Sequence, residues 1–190
     1  MTEFSNERIE QRLEDRSSMG LERSLPDPKA GQGMVNLANN DYLGLAGHPA
    51  LAQAAREAIE QFGIGSGASR LICGSLQPHH ELELALAKWQ GTEAALVFST
   101  GFAAAQGVLT SLLGRGDVVI LDKKAHASMI DGAKLSGATL RIFRHNDLGN
   151  LERLLQWAAD RGGRVLVASE SVFSMDGDHA PLAGIVELKE

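Results

Sequence analysis

Four short apolar runs stand out along the chain. Each is four residues long and rich in valine, leucine, isoleucine or phenylalanine, which is too short for a buried helix and suits a strand covered on both faces. The runs lie at residues 95–98, 118–121, 140–143 and 165–168. They predict four buried β-strands.

Longer stretches with helical spacing of apolar residues separate these runs. They cover residues 102–113, 126–136 and 150–161, and they are followed by Gly114, Gly137 and Gly162. Glycine is favoured directly after a helix because it adopts a left-handed conformation without strain. This alternation of strand and helix predicts an open, largely parallel α/β sheet flanked by helices, with ligands bound near the carboxyl ends of the strands.

The first part of the chain is organised differently. Residues 1–16 are charged with apolar residues at helical spacing, whereas residues 24–33 contain prolines and glycines and indicate an extended arm. Two more helices, each with a proline in its first turn, are predicted at residues 49–62 and 78–91. We therefore divide the chain into an N-terminal helix and arm, residues 1–35, and a compact domain, residues 36–190.

Composition and charge narrow the function classes. The 190 residues carry 18 basic and 24 acidic side chains, a net charge of -6, and no basic cluster, which argues against nucleic acid as a partner. Cys73 is the only cysteine, so we predict neither a disulfide framework nor a cysteine metal site, and we expect a cytoplasmic protein. No histidine pair has metal-ligand spacing, and no signal peptide or membrane span is predicted.

Two glycine-containing segments could bring the backbone close to a ligand. Residues 63–70, GIGSGASR, lack the Gly-Lys-Ser/Thr ending of a Walker loop, and a flexible turn is the alternative. Residues 99–104, STGFAA, follow a predicted strand and open a helix, where free N–H groups and the helix dipole favour an anion. The run from Gly101 to Gly107 has no middle glycine, which argues against a dinucleotide. A phosphate site is the hypothesis here, and an ordinary strand-to-helix turn is the alternative.

Polar residues also follow two later strands. His126 should project from the edge of the sheet, where an imidazole could stack on a planar cofactor or pass protons; a helix-capping or surface histidine is the alternative. The loop at residues 170–178, ESVFSMDGD, should face the same edge, and it lacks the spacing of a calcium-binding EF-hand loop. No Gly-x-Ser-x-Gly elbow of a serine hydrolase occurs. We interpret the remaining histidines as helix caps or surface residues: His48, His79, His80, His145 and His179.

The order and wording of seven segments resemble one family, the α-oxoamine synthases, from about Arg23 onward. The segments are residues 39–45 (NNDYLGL), 62–70, Gly74 with His79, 99–102 (STGF), 126–132 (HASMIDG), 144–148 (RHNDL) and 172–178. The His-Asn-Asp and Ile-Asp-Gly-Ala wording favours the biotin-pathway member of the family, with glycine C-acetyltransferase as the alternative. The resemblance implies fold-type I architecture, a homodimer and pyridoxal 5'-phosphate as cofactor.

The resemblance also implies roles for individual residues. Gly101 and Phe102 would donate backbone N–H groups to the cofactor phosphate, Ser174 would hydrogen-bond the cofactor, and Glu170 would lie beside the ring. His126 would be the catalytic residue: it would stack on the ring and approach the carboxylate of the substrate. The substrate side would be formed by Arg23, Asn40 and the Gly65 to Ser69 loop. The substrates implied are an amino acid, L-alanine by the biotin-pathway resemblance, and an acyl-CoA or acyl-carrier-protein thioester. These would be joined with loss of carbon dioxide, and neither nucleic acid nor membrane is an expected partner.

One departure from the family pattern limits this interpretation. The family's pyridinium aspartate and its Schiff-base lysine lie beyond the equivalent of Glu190, and the lysines we compared do not match the lysine motif: Lys88, Lys123, Lys124, Lys134 and Lys189. We therefore expect the chain to be the first half of such an enzyme and to be inactive by itself. The alternatives are a non-catalytic protein that keeps this half of the fold for binding or assembly, and a nicotinamide-dependent oxidoreductase.

Overall fold

The structure is a computed structural model that describes residues 6–25 and 35–189. Its elements in chain order are α1 (Asn6–Ser18), α2 (Pro49–Phe62), α3 (Gln77–Gln90), α4 (Gly101–Leu112), β1 (Val118–Asp122), α5 (Ala127–Ser136), β2 (Thr139–Phe143), α6 (Leu148–Ala159), β3 (Val165–Ala168) and α7 (Leu182–Glu187). The chain forms two compact units, Met1–Gly65 and Ser66–Glu190. Most of the predicted arm, residues 26–34, lies outside the described residues, so the division at residue 35 stays a prediction.

The first unit contains α1 and α2, and none of the residues in these helices is fully buried. His48 begins α2: its Nδ1 accepts a hydrogen bond from the Ala50 N–H at 3.2 Å, and Pro49 occupies the first turn. The His48 side chain satisfies one backbone donor at the start of the helix, and Pro49 removes another because proline has no N–H group. The predictions of a helix at 49–62 and of a capping role for His48 are thus confirmed.

The second unit is built on a parallel sheet of three strands in the order β2-β1-β3. Every residue of the central strand, β1, is buried. Since successive side chains of a strand point to opposite faces, Val119 and Leu121 pack under α4 and α5, whereas Val118 and Ile120 pack against α6. The predicted parallel α/β sheet with helices on both faces is confirmed.

The predicted first strand, residues 95–98, is wrong for the described structure. This segment is irregular, and Leu96 within it is 77% exposed. A strand exists only through hydrogen bonds to a neighbour, and no described segment pairs with this one. Instead, the Val97 N–H donates to Glu83 Oε1 at 3.0 Å. An apolar run shows that a segment could be buried or could form a strand, but it does not show that a neighbouring strand is present to pair with it.

Glu83 is the residue that holds this irregular segment. Its carboxylate accepts two hydrogen bonds from the Arg70 guanidinium, at 2.6 and 2.9 Å, in addition to the Val97 N–H. The Arg70 hydrogen bonds, and then that of Val97, lower the pKa of Glu83 to about 2. The carboxylate is therefore ionised at neutral pH and links the turn after residue 65, helix α3 and the chain that leads to α4.

Helix boundaries differ from the predictions by one or two residues. Helix α6 begins at Leu148 rather than residue 150 because the Asp147 side chain accepts the Asn150 N–H at 2.8 Å and so caps an earlier turn. Gly137 follows α5 in the predicted left-handed conformation, with φ 78°. By contrast, α4 and α6 end before Gly114 and Gly162, at Leu112 and Ala159.

Helices α4 and α5 approach each other closely at Gly132. A Cβ atom there would lie 3.0 Å from Leu109 Cδ1 and 3.2 Å from the Ala105 carbonyl oxygen. We expect Gly132→Ala to lower the free energy of unfolding by about 1–3 kcal/mol, because the helices must move apart. Urea denaturation of the full chain would measure this.

Gly149→Ala is the matched control for that measurement. Gly149 is also helical, but a Cβ there meets only Asp147 Oδ1, at 3.6 Å, an ordinary contact. Alanine should be neutral or slightly stabilising at this position, because it has the higher helix propensity. Equal destabilisation by both substitutions would contradict close helix packing as the cause.

Candidate functional site

A cleft of about 810 Å³ lies where the start of α4, the start of α5 and the end of β3 meet. Gly101 and Phe102 line it from α4, His126 from the start of α5, and Ala168 and Glu170 from the end of β3. This is the carboxyl edge of the sheet, where ligands bind in open α/β folds. Four of the predicted cofactor residues, Gly101, Phe102, His126 and Glu170, are thus brought to one cavity.

The start of α4 presents unpaired donors to this cleft. Thr100 caps the helix: its Oγ1 accepts the Ala103 N–H and its carbonyl accepts the Ala104 N–H, each at 3.0 Å. The N–H groups of Gly101 and Phe102 find no acceptor within the described residues. A Cβ on Gly101 would meet nothing within 4 Å, so the space in front of it is open. Free donors at the positive end of a helix dipole fit a phosphate group.

His126 is both a helix cap and a wall of the cleft. Its Nδ1 accepts the Ser128 N–H at 3.2 Å and lies 2.7 Å from Ser128 Oγ. Because a nitrogen that accepts an N–H hydrogen bond carries no proton, the ring proton is on Nε2. The two roles that the sequence left as alternatives, helix cap and cleft residue, are therefore compatible, since the cap fixes the orientation of the ring.

Glu170 reaches back to the same histidine. Its Oε1 accepts the backbone N–H of His126 at 2.5 Å. The carboxylate therefore ties the end of β3 to the first turn of α5. Next to it, Ser169 Oγ is buried and has no hydrogen-bond partner within residues 6–25 and 35–189. The chain neighbours Ala168 and Glu170 line the cleft, whereas Ser169 does not. No sequence signal singled out Ser169, because burial of its hydroxyl depends on tertiary packing.

The sequence interpretation of His145 as a cap or surface residue is wrong. The side chain is only 16% exposed; Nδ1 lies 2.8 Å from Asp122 Oδ1, and Nε2 lies 2.6 Å from Asp178 Oδ2. Asp122, at the end of β1, is fully buried, and its other oxygen accepts the Asn146 N–H at 3.0 Å. Hydrogen bonds to Asp122 and then Asp178 raise the pKa of His145, whereas burial opposes them. The RHNDL sequence at residues 144–148 supports the family resemblance, but no local pattern indicates that His145 contacts Asp122 and Asp178.

The remaining predicted site residues do not line the cleft. Ser174 is exposed in the loop after β3, and Ser69 is exposed in a turn where its carbonyl accepts the N–H groups of Ile72 and Gly74. Asn40 and Arg23 belong to the first unit. There, Asn40 Oδ1 accepts a hydrogen bond from the Tyr42 hydroxyl at 3.4 Å, and Arg23 borders a hollow at the end of α1. Their roles toward cofactor and substrate stay proposals.

Comparison with known proteins assigns the chain to a protein family. Residues 32–190 match aminotransferase class I and II. The chain belongs to this family. Its relatives confirm the resemblance to the α-oxoamine synthases: it is 50% identical to the 8-amino-7-oxononanoate synthase of Geobacter sulfurreducens, in an alignment of 187 positions that covers 93% of this chain and 47% of the relative. It is 52% identical to the synthase of Pelobacter propionicus over 160 residues, 84% of this chain and 40% of that one. The chain spans about half the length of the curated relatives it matches.

Solved structures of class I and II aminotransferase relatives agree with the fold. Serine palmitoyltransferase from S. paucimobilis, with a bound pyridoxal phosphate–myriocin aldimine, superposes with a TM-score of 0.80 at 33% identity, covering 95% of this chain and 50% of that one. For 8-amino-7-oxononanoate synthase from Francisella tularensis the TM-score is 0.69 at 28% identity, with 83% and 43% covered. The fold is fold-type I, and the family depends on pyridoxal phosphate.

No helix within residues 6–25 and 35–189 has the length and apolar character needed to cross a lipid bilayer.

Proposed function

We propose that the protein containing this chain joins an amino acid to an acyl thioester with loss of carbon dioxide, in biotin biosynthesis. The substrates proposed are L-alanine and pimeloyl-CoA or a pimeloyl carrier protein. The observation that carries the proposal is the identity of about half of all aligned residues with 8-amino-7-oxononanoate synthases, combined with a cleft whose donors fit a phosphate. Identity to solved serine palmitoyltransferases is lower than to these relatives, between 31% and 39%. The synthase of Francisella tularensis is 28% identical, and its TM-score of 0.69 is below the 0.80 of the S. paucimobilis serine palmitoyltransferase.

The residues of the cleft have separate tasks in this proposal. Gly101 and Phe102 bind the cofactor phosphate through their N–H groups. His126, held by Ser128 and Glu170, places its imidazole in the cleft with Nε2–H free to donate. When bound, pyridoxal phosphate supplies an electron-accepting ring that stabilises negative charge on the amino acid.

The substrate side and the assembly are proposed from the resemblance. Arg23, Asn40 and Ser69 would contact the substrates, Ser174 would hydrogen-bond the cofactor, and two copies of the complete protein would form a homodimer. No lysine lines the cleft in the described part of the chain. From the family resemblance we propose that catalysis also needs a lysine and an aspartate from elsewhere in the complete protein. The lysine would supply the nucleophilic amine, and the aspartate would keep the ring nitrogen of the cofactor protonated.

A genetic and enzymatic test uses the complete gene product, meaning the protein read from this gene to its stop codon. It should restore growth of a bacterium that lacks 8-amino-7-oxononanoate synthase on biotin-free medium. The purified protein should release free thiol from pimeloyl-CoA faster with alanine than with glycine or serine. A preference for glycine with acetyl-CoA, or for serine with a long-chain acyl-CoA, would replace the biotin assignment by another α-oxoamine synthase. Cofactor binding without activity toward any of these pairs would favour a non-catalytic protein.

His126→Asn separates the role of the imidazole from that of the cap. Asparagine is a good N-cap residue, so α5 should remain stable, whereas the ring is lost. We expect the turnover of the complete gene product to fall by about 10²- to 10⁴-fold. Steady-state kinetics and a thermal melt measure the two effects.

His48→Asn is the control, because His48 also caps a helix through Nδ1. It should leave turnover unchanged. Full activity of His126→Asn would refute the assigned role of His126.

A further inference from the structure

The three strands of the sheet are joined at their carboxyl ends by one set of charged side chains, of which Asp122 is fully buried, His145 is 16% exposed and Asp178 is 41% exposed. Asp122 ends β1, His145 follows β2, and Asp178 lies in the loop after β3. The His145 ring spans the two carboxylates, with 2.8 Å from Nδ1 to Asp122 and 2.6 Å from Nε2 to Asp178. None of these residues lines the cleft described above. The cluster therefore has a role that the proposed chemistry does not use.

The partners of the imidazole favour its charged form. An ionised carboxylate only accepts hydrogen bonds, so with Asp122 and Asp178 ionised each ring nitrogen donates a proton to its partner. The hydrogen bonds to Asp122 and then Asp178 raise the pKa of His145, in agreement with an imidazolium between the two carboxylates. This differs from His126, whose Nδ1 is an acceptor. Charge-assisted hydrogen bonds of this kind are stronger than neutral ones.

The same histidine holds a loop of ordered structure. In residues 171–180, Val172 pairs with His179 in an antiparallel bridge, and the Phe173 N–H donates to the Asp178 carbonyl at 2.9 Å. Phe173 is buried, and its ring meets the His145 ring edge-on with 4.5 Å between centroids. The loop begins directly after Glu170, the residue that binds the His126 backbone. The attachment of the loop to His145 therefore affects the position of Glu170 in the wall of the cleft.

We infer that His145, protonated on both ring nitrogens, is the positioning residue that fixes the loop at residues 171–180 to the ends of β1 and β2. Through this loop it holds Glu170 in the cleft wall. The anchoring of the loop is independent of the proposed function, whereas its effect on cofactor affinity rests on that function. The proposal assigns His145 no contact with cofactor or substrate.

The charges around His145 set the pH dependence. Asp122 and Asp178 face the ring directly, and Lys124, paired with Asp176 at 2.9 Å, lies near Asp178. Hydrogen bonding to both carboxylates raises the pKa of His145 above its usual value. The stabilisation by the imidazolium is then complete below the unfolded-state pKa of histidine. It is lost as the pH rises through the higher pKa of the folded protein.

The protonation state can be measured in the unmodified protein. Histidine-labelled complete gene product would be titrated by ¹⁵N–¹H correlation spectra of the imidazoles, with His145 assigned from its absence in His145→Gln. We expect both ring nitrogens of His145 to remain protonated at pH 7 and the ring to titrate above the other histidines. A neutral His145 ring at pH 7 would overturn the inference, whatever the enzyme's activity.

Hydrogen exchange distinguishes positioning from general stability. At neutral pH, His145→Gln should speed amide exchange in residues 171–180 by about tenfold, with little change in α4. The matched control is His179→Gln, in the same loop, whose side chain forms no hydrogen bond within the described residues; it should leave exchange unchanged. The difference between His145→Gln and unmodified protein should shrink as pH rises above the His145 pKa. Uniformly faster exchange, or no change in the loop, would refute the positioning role.

Cofactor titration then tests the link to the cleft. With the loop released, affinity for pyridoxal phosphate should fall by roughly tenfold in His145→Gln and stay unchanged in His179→Gln. Faster amide exchange in the loop with unchanged cofactor affinity would show that His145 positions only the loop, and it would refute the proposed effect on Glu170 in the cleft wall. Failure of the unmodified protein to bind the cofactor would instead refute the proposed function and leave the exchange and titration results standing.

Discussion

Gly101→Pro is expected to weaken binding of pyridoxal phosphate by about 10- to 100-fold while leaving α4 folded. Proline removes one N–H donor, and a hydrogen bond to a charged phosphate is stronger than a neutral one. The first position of a helix tolerates proline, since its N–H has no partner within the helix. Thr100 before it is already extended, with φ -149° and ψ 154°, as the residue before a proline requires. Cofactor titration and far-ultraviolet circular dichroism of the complete gene product would measure affinity and helix content.

Gly101→Ala is the control for side-chain bulk. It keeps the N–H group, and its Cβ meets nothing within 4 Å. Affinity for the cofactor should therefore stay close to that of the unmodified protein. If alanine weakens binding as much as proline does, bulk rather than the missing donor is responsible. Unchanged affinity with proline would place the phosphate elsewhere.

Asp122→Ala is expected to lower the free energy of unfolding of the full chain by about 3–5 kcal/mol, because each donor that loses its acceptor in the interior costs about 1–3 kcal/mol. Asp122 is fully buried, and it accepts the Lys124 and Asn146 N–H groups at 2.8 and 3.0 Å besides its bond with His145. All three donors would lose their acceptor at once. Urea unfolding followed by circular dichroism measures the change.

Asp176→Ala is the matched surface control. Asp176 pairs with Lys124 at 2.9 Å, but its side chain is 45% exposed. An exposed ion pair contributes less than about 1 kcal/mol, so stability should change little. Similar losses for Asp122→Ala and Asp176→Ala would show that burial does not set the cost.

The sequence could predict those parts of the fold that local pattern determines. Residues 118–121, 140–143 and 165–168 are strands in the structure because each has a neighbour and is flanked by helices. Residues 95–98 have the same apolar character and are irregular, since pairing is a tertiary property that a run of apolar residues cannot encode alone. The amphipathic helices were predicted to within one or two residues, as capping by Asp147 shows for α6.

In the candidate site, too, local sequence predicts some residues, whereas others depend on tertiary contacts. His126 could be predicted because it follows the end of β1, and the carboxyl ends of parallel strands share one edge. Gly101 could be predicted only as the start of a helix, since the segment expected as a strand before it is irregular. The position of the His126 ring proton could not be predicted, because it depends on the hydrogen bond between the Ser128 N–H and His126 Nδ1. The sequence does not predict the environment of His145, because its two carboxylate partners lie 23 and 33 residues away along the chain. Long-range partners of this kind leave no local periodicity.

The bond between the His126 N–H and Glu170 joins residues that are 44 positions apart. Contacts separated by long chain segments form slowly, since closing the intervening segment costs entropy. The first turn of α5 is therefore expected to gain this anchor only after β3 has docked. On the ribosome, a nascent chain could not complete this wall of the pyridoxal phosphate cleft until residue 170 had emerged from the exit tunnel.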